Sequence, residues 1–336
     1  MKRAIFAFAF SVFASTTAYA FTLPPCGGAT VRAEEVFFHP GAPDDKPPPL
    51  KLAFTNALLE NEARGGQVAY CMSDAQMTNG KNGLSFGFFQ YDLAQNRAAA
   101  GILADILRSV VDLPDVDLTH EDIRTIRAGG LSQTAPVLRA STSKSKKRLI
   151  ERVNRALATE LGVAELNADF VLHIEKAIEN NDGRVGRLTD TVGARALLQS
   201  NGAARLLLLD YENFFGSFGE QFKGFLNGEP QRLVAGTIVI DAPAATTDII
   251  NFYLSGKQGS GSARDQRAEC LRRINNVLRY SEEAQGPIVL TARDKTYLTE
   301  VLKPILDSTD NPHIARKRAG HQYDTLLKIV ERASTP

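Results

Sequence analysis

The chain has 336 residues and a formal net charge of +1, with 43% hydrophobic and 23% charged residues. These are globular proportions, which exclude a disordered tail, a collagen-like repeat and a disulfide-dense mini-protein. The near-neutral charge also argues against a nucleic-acid binder, which is usually basic.

In chain order, the first twenty residues read as an export signal. Met1-Lys2-Arg3 is a basic start, and Ala4 to Ala14 is an apolar run that includes Phe6, Phe8, Phe10 and Phe13. Ala18-Tyr19-Ala20 is a small-x-small cleavage site, so cleavage is expected after Ala20 and the mature chain is expected to be periplasmic or secreted. Losing Lys2 and Arg3 shifts the net charge to about −1. The apolar run is too short to cross a bilayer, and no later stretch reaches the roughly 18 apolar residues needed, so no integral membrane segment is expected.

Phe21 to Pro49 is a Pro-rich lead-in. Leu50 to Arg64 reads as a helix, with Leu50, Phe54, Ala57 and Leu58 at helical spacing and Gly65-Gly66 as the stop. A polar, turn-rich stretch follows to Gly83, then Leu84 to Tyr91 is a short aromatic run suited to a strand or hairpin. The pattern is helical again through Ala98, Ile102, Ile106 and Val110. Thr119 and Asp122 sit at capping-box spacing before a short helix. The basic stretch Lys144 to Arg148 opens an amphipathic helix over Leu149 to Leu161. Further helices are expected near 164–181, 187–200, 203–214, 244–255, 262–284, 293–307 and 312–332, with one strand at Thr237 to Ile240. The expected fold is therefore mainly α, a helical bundle with a small β-hairpin near 84–91.

Three cysteines, Cys26, Cys71 and Cys270, allow three pairings in an oxidising compartment. Cys26–Cys71 is favoured because it would tie the N-terminal lead-in to the body. No Cys or His pair has a zinc-ligand spacing, so no metal is expected.

The chemistry concentrates between Glu60 and Asp92. A helix ends in a carboxylate, Glu62 or alternatively Glu60, and a polar loop then leads to Leu84-Ser-Phe-Gly-Phe-Phe-Gln90. A helix-end Glu desolvated by apolar neighbours favours its protonated form, which suits a general acid. Ser85 and Gln90 opposite it would position a water or a substrate hydroxyl. Gly87 permits a bend or a close approach. Asp92 fits the cap of the next helix better than a catalytic role, and Asp210, Tyr211 and Asn213 fit a buried polar brace.

This stretch resembles the lysozyme superfamily, in which a catalytic Glu ends the first long helix and a Thr follows on a β-hairpin. Ser85, Gly87 and Gln90 match that hairpin's offsets, with Ser replacing Thr. Gly87 to Gln90 is also similar to a region of lytic transglycosylases. Leu209 to Gly216 and Phe225 to Gly228 look like later helices of secreted lysozyme-like proteins, so the resemblance spans roughly 50–230. Residues 231–336 are then a helical extension or part of the same domain.

The resemblance implies a peptidoglycan hydrolase with Glu62 as acid, Ser85 as positioning hydroxyl and Asp74 as loop carboxylate. No cofactor is implied. Without any Trp, the sugar-binding rings would have to be Tyr70, Phe86, Phe88 and Tyr91, with Gln90. The loop between Glu62 and Ser85 is longer than in phage lysozymes. The competing expectations are an inactive lysozyme-like module that binds glycan or protein, and a chitinase- or chitosanase-like enzyme.

Overall fold

The computed structural model describes residues 48–63, 70–74, 83–89, 91–96, 98–134, 137, 144–215, 219–233, 236–240, 243–255 and 263–335. At 63, 73, 74, 236 and 263–265 it describes the backbone alone. The export signal, most of the Pro-rich lead-in, Cys26 and Gln90 lie outside this set. Among the described residues, no helix is long and apolar enough to cross a membrane.

The fold is mainly helical with small antiparallel β elements. The described chain groups into two compact units, one of residues 47–61 and 175–336 and a smaller one of 62–174. The boundaries fall inside two helices, α1 (Pro49–Ala63) and the long helix that ends at Val185. No boundary appears near residue 230, because residues on either side of it share one buried network, described below.

In the larger unit, α1 precedes the end of the long helix. Then come α6 (Ala194–Ser200), α7 (Gly202–Phe215), α8 (Glu220–Leu226), the hairpin β4 (Gln231–Leu233) and β5 (Gly236–Ile238), α9 (Thr246–Ser255) and α10 (Ala263–Gln285). The strand expected at 237–240 is thus the second arm of a hairpin. A helix expected over 293–307 is α11 (Ala292–Tyr297), a π-helical turn (Leu298–Leu302) and α12 (Lys303–Asp307). The widened turn precedes Pro304, which has no N–H to complete the α-helical ladder. A single helix expected to 332 is split into α13 (Pro312–Ala319) and α14 (Asp324–Ser334), where His321 takes a left-handed φ of 60°.

The centre of this unit is polar. Asp210 of α7 and Arg273 of α10, both buried, meet as a two-pronged pair: Nη2 to Oδ1 at 2.6 Å and Nε to Oδ2 at 3.1 Å. The Tyr253 hydroxyl of α9 donates to Asp210 Oδ2 at 2.5 Å. Asn61 of α1 donates from Nδ2 to Asp210 Oδ1 at 3.0 Å and accepts at Oδ1 from Asn276 Nδ2 at 2.9 Å. The Arg273 guanidinium also lies 4.5 Å from the Phe214 ring centroid. The expectation of a buried polar brace holds for Asp210.

Beside it, Arg272 donates to Glu269 and Lys317 donates to the other Glu269 oxygen. Burial alone would raise the Glu269 carboxyl, but the Arg272 hydrogen bond and charge and then Lys317 outweigh it and hold it at about 2.

The smaller unit contains a three-stranded antiparallel sheet, β1 (Ser73–Asp74), β2 (Leu84–Phe86) and β3 (Tyr91–Asp92), in that order. Four helices follow: α2 (Ala99–Val110), α3 (His120–Arg127), α4 (Lys144–Leu157) and the first part of α5 (Glu160–Val185). At α3, Thr119 and Asp122 form the expected capping box, with both reciprocal bonds present. Asp92 is also a cap, but of the turn before α2: its Oδ1 accepts from the N–H groups of Gly83, Ala94 and Gln95.

Cys71 is disulfide-bonded and Cys270 is a buried free thiol. Non-reducing peptide mapping should therefore recover Cys71 in a cross-linked peptide, with Cys26 as the expected partner. Cys270 should react with alkylating reagents only after unfolding. A Cys71–Cys270 peptide from folded protein would overturn both expectations.

Glu269 predicts an acid dependence of stability. Its carboxyl is depressed in the folded state, so its contribution is present above the ordinary Glu range and is lost as pH falls from there through about 2. The melting temperature should drop across that window, and Glu269→Gln should flatten the drop. An unchanged slope in the variant would show that other carboxylates carry it.

Candidate functional site

Glu62 is half-buried and is the penultimate residue of α1. Glu60 lies two residues earlier, with Oε2 3.6 Å from Arg279 Nη2. After the loop, the chain enters the sheet of the smaller unit, in which β2 is the central strand.

Ser85 stands opposite Ser73 on one side and Asp92 on the other. The Leu93 N–H donates to the Leu84 carbonyl at 2.9 Å, which makes Ser85–Asp92 a pair without ladder bonds, the kind whose side chains lie closest. The two side chains share one face of the sheet, with Cβ atoms expected roughly 5 Å apart. Ser85 is only 1% exposed. Neither Ser85 Oγ nor Asp92 Oδ2 has a hydrogen-bond partner. A hydroxyl and a carboxylate oxygen side by side can together hold a water or a substrate hydroxyl, the hydroxyl donating and the carboxylate accepting. Asp74 is the last residue of β1 and pairs with Leu84.

The opposite face of the sheet is aromatic. Phe86 and Tyr91 are directly paired, with ring centroids 5.3 Å apart. Phe88 stacks on Phe170 of α5 at 4.4 Å, and Tyr70 meets Phe88 edge-on at 5.8 Å. The Tyr70 hydroxyl donates to Asn167 Oδ1 at 3.1 Å. These placements correct the expectation of a sugar platform: Tyr70, Phe86, Phe88 and Tyr91 are all buried. A ring covered on both faces by its own chain has none to offer a sugar. They were expected to face a sugar because the resemblance calls for aromatic platforms and the chain has no Trp, whereas the whole of β2 is buried.

Tyr91 also anchors the hairpin to α5. Its hydroxyl lies 3.1 Å and 3.0 Å from Nδ1 and Nε2 of His173. Burial first, then the Asp169 charge and a hydrogen bond to that carboxylate, push its phenol well above the usual range. His173 Nδ1 lies 2.8 Å from the Asp169 carbonyl oxygen, an acceptor, so that nitrogen carries a proton. Phe89, half-buried in the turn, lies 5.3 Å from the His173 ring. The half-exposed rings beside the turn are Phe89, which strand alternation splits from the buried Phe88, and His173, which was not expected at the site. The only sequence signal for the latter was the i, i+4 spacing of Asp169 and His173 on one helix face.

Gly87 begins the turn with φ of 69°. A Cβ there would meet Leu166 Cδ2 at 3.6 Å, an ordinary contact, so the requirement for glycine is conformational. Among the described residues, no group of three His, Cys, Asp or Glu side chains is placed to hold a metal ion.

Comparison with protein-family models, with curated proteins and with solved structures finds no match to this chain.

Gly87→Ala should lower stability by about 1–2 kcal/mol, the cost of a left-handed L-residue. Urea unfolding measures it. A loss under about 0.5 kcal/mol would mean that the turn relaxes to another geometry.

Proposed function

We propose that this protein is an exported peptidoglycan hydrolase that cleaves the β-1,4 bond between N-acetylmuramic acid and N-acetylglucosamine. The observation that carries the reading is a sequence of parts in one compact unit. A half-buried carboxyl, Glu62, ends a helix, and a small antiparallel sheet follows whose central strand holds the buried, unpartnered Ser85 hydroxyl. The resemblance of residues 60–92 to the lysozyme superfamily supports the same roles.

Glu62 donates its proton to the glycosidic oxygen as the C1–O4 bond breaks through an oxocarbenium-like transition state. The attacking group reaches C1 from solvent or from the sugar itself, since Ser85 is as buried as the excluded rings. If that group is water, the product is a reducing sugar. If it is the muramic 6-hydroxyl, the product is a 1,6-anhydro sugar. In both cases the proton lost by the attacking oxygen returns the acid to its starting form or passes to solvent. With the four expected rings buried, Phe89 and His173 are the rings left to face a sugar.

A zymogram on purified peptidoglycan tests the reading. The wild type should clear the gel, and Glu62→Gln should lower lysis by about two to four orders of magnitude while keeping its melting temperature. Full activity in Glu62→Gln, with loss in Glu60→Gln, would move the acid to Glu60. A wild type that binds peptidoglycan without clearing it would favour a binding module, and clearing of chitin alone would reassign the substrate.

A further inference from the structure

The last turn of a helix leaves its final four carbonyls without helical partners. For α1 these include the carbonyls of Glu60 and Asn61, and α1 has no basic residue of its own in that turn. A distant residue supplies the cation. Arg272 of α10 donates from Nη2 to the Asn61 carbonyl at 3.0 Å and from Nη1 to the Glu60 carbonyl at 3.4 Å. Its guanidinium is held in turn by Glu269, with Nε to Oε1 at 3.0 Å. The Asn61 side chain, 6% exposed, is fixed at both ends, to Asp210 and to Asn276. The peptide that leads into Glu62 is therefore gripped through two carbonyls and one side-chain amide. The Asn61 side chain also serves the Asp210 centre, and the two Arg272 bonds to carbonyls fix the end of the helix to it.

We propose that Arg272 and Asn61 are positioning residues for Glu62. They hold the last turn of α1 in a single arrangement, so that the next residue presents its carboxyl in one orientation. The inference rests on the reading of Glu62 as the acid. Neither residue reaches the reacting atoms, and their effect is on the fraction of molecules whose acid is aligned. Misalignment of a catalytic group by about an ångström can cost up to a hundredfold in rate.

The test compares the wild type with Arg272→Gln, Arg272→Lys and a control, Arg332→Gln. The control breaks the Arg332–Glu282 pair, which joins α10 to α14 and makes no bond to the α1 carbonyls. Turnover on soluble peptidoglycan fragments is measured well below each melting temperature. Arg272→Gln should lower kcat by about tenfold or more with KM within about twofold. Arg272→Lys, which keeps one donor and the charge, should recover part of it, and Arg332→Gln should lose stability without losing kcat. Amide hydrogen exchange is the readout independent of turnover: the Glu62 and Ala63 amides should exchange about tenfold faster or more in Arg272→Gln, and not in the control.

If the wild type lyses peptidoglycan and Glu62→Gln does not, while Arg272→Gln keeps wild-type kcat and exchange, the positioning role is overturned and the proposed function stands. Equal losses of kcat in Arg272→Gln and Arg332→Gln would reduce Arg272 to a stabilising residue. A wild type without activity on peptidoglycan overturns both readings.

Discussion

The larger unit depends on placing one guanidinium out of water. Arg273 is 2% exposed and Asp210 is fully buried. Two charges removed from solvent are tolerable only with close geometry and satisfied remaining atoms, and removing one partner typically costs about 3–5 kcal/mol. The chain meets the condition by convergence. The Arg273 fork fits both carboxylate oxygens, Tyr253 supplies a donor to one and Asn61 to the other. Burial and the Asp210 charge together keep the Tyr253 phenol protonated, so its donor role persists across the working pH range. Four helices that are distant in sequence, α1, α7, α9 and α10, must therefore take up one arrangement. Apolar contacts alone would leave their register free to slide by a side chain; a saturated polar centre does not.

The same network explains which parts were legible in the sequence. Elements whose signals are local were readable: the apolar spacing of Phe54, Ala57 and Leu58, the Thr119–Asp122 box, and the β element near Leu84. Asp210 was readable as a brace because an acidic residue inside the apolar run Leu206 to Phe214 has to be paired. Arg273 was not, since a run such as Arg272-Arg273 looks the same whether it is solvated or buried. Its burial depends on α7 and α9, which lie twenty residues and more before it. Asn61 and Asn276 carry no sequence signal at all, because an Asn on a helix is as ordinary exposed as it is paired inside. Residues on either side of 230, where the family resemblance ends, lie in the same compact unit and share this network.

Around the candidate site, the helix-then-sheet order was legible and the exposure of the rings was not. The resemblance called for aromatic platforms, and with no Trp in the chain the rings around β2 were expected to supply them. Both faces are covered instead: the Phe86–Tyr91 pair and the Phe88–Phe170 stack occupy one, and Ser85 lies buried on the other. With no Trp in the chain, rigidity around the hairpin comes from a cluster of Phe and Tyr rings tied at its polar ends to Asn167, Asp169 and His173. Such a cluster holds a short sheet that strand pairing alone would not stabilise.

The two polar interiors then differ in a way that bears on function. Around Asp210 both oxygens are bonded, and nothing there is left to bind a ligand. Other buried groups with an unpaired atom, such as Asn154 and Asn181, spend their remaining atom on a bond, to the Met72 N–H and to Glu212 respectively. Ser85 has one polar atom and it is unpaired, as is that of Thr246 at the start of α9. Among the described residues, Ser85 has a second unpaired oxygen, Asp92 Oδ2, directly across the strand pair on the same face. Two facing oxygens without a protein partner, each costing about 1–3 kcal/mol if left unsatisfied, can be met together by one bound hydroxyl or water. That contrast, between Asp210 saturated and Ser85 with Asp92 unsatisfied, is the physical reason to look for chemistry at the hairpin and not at the larger buried charge.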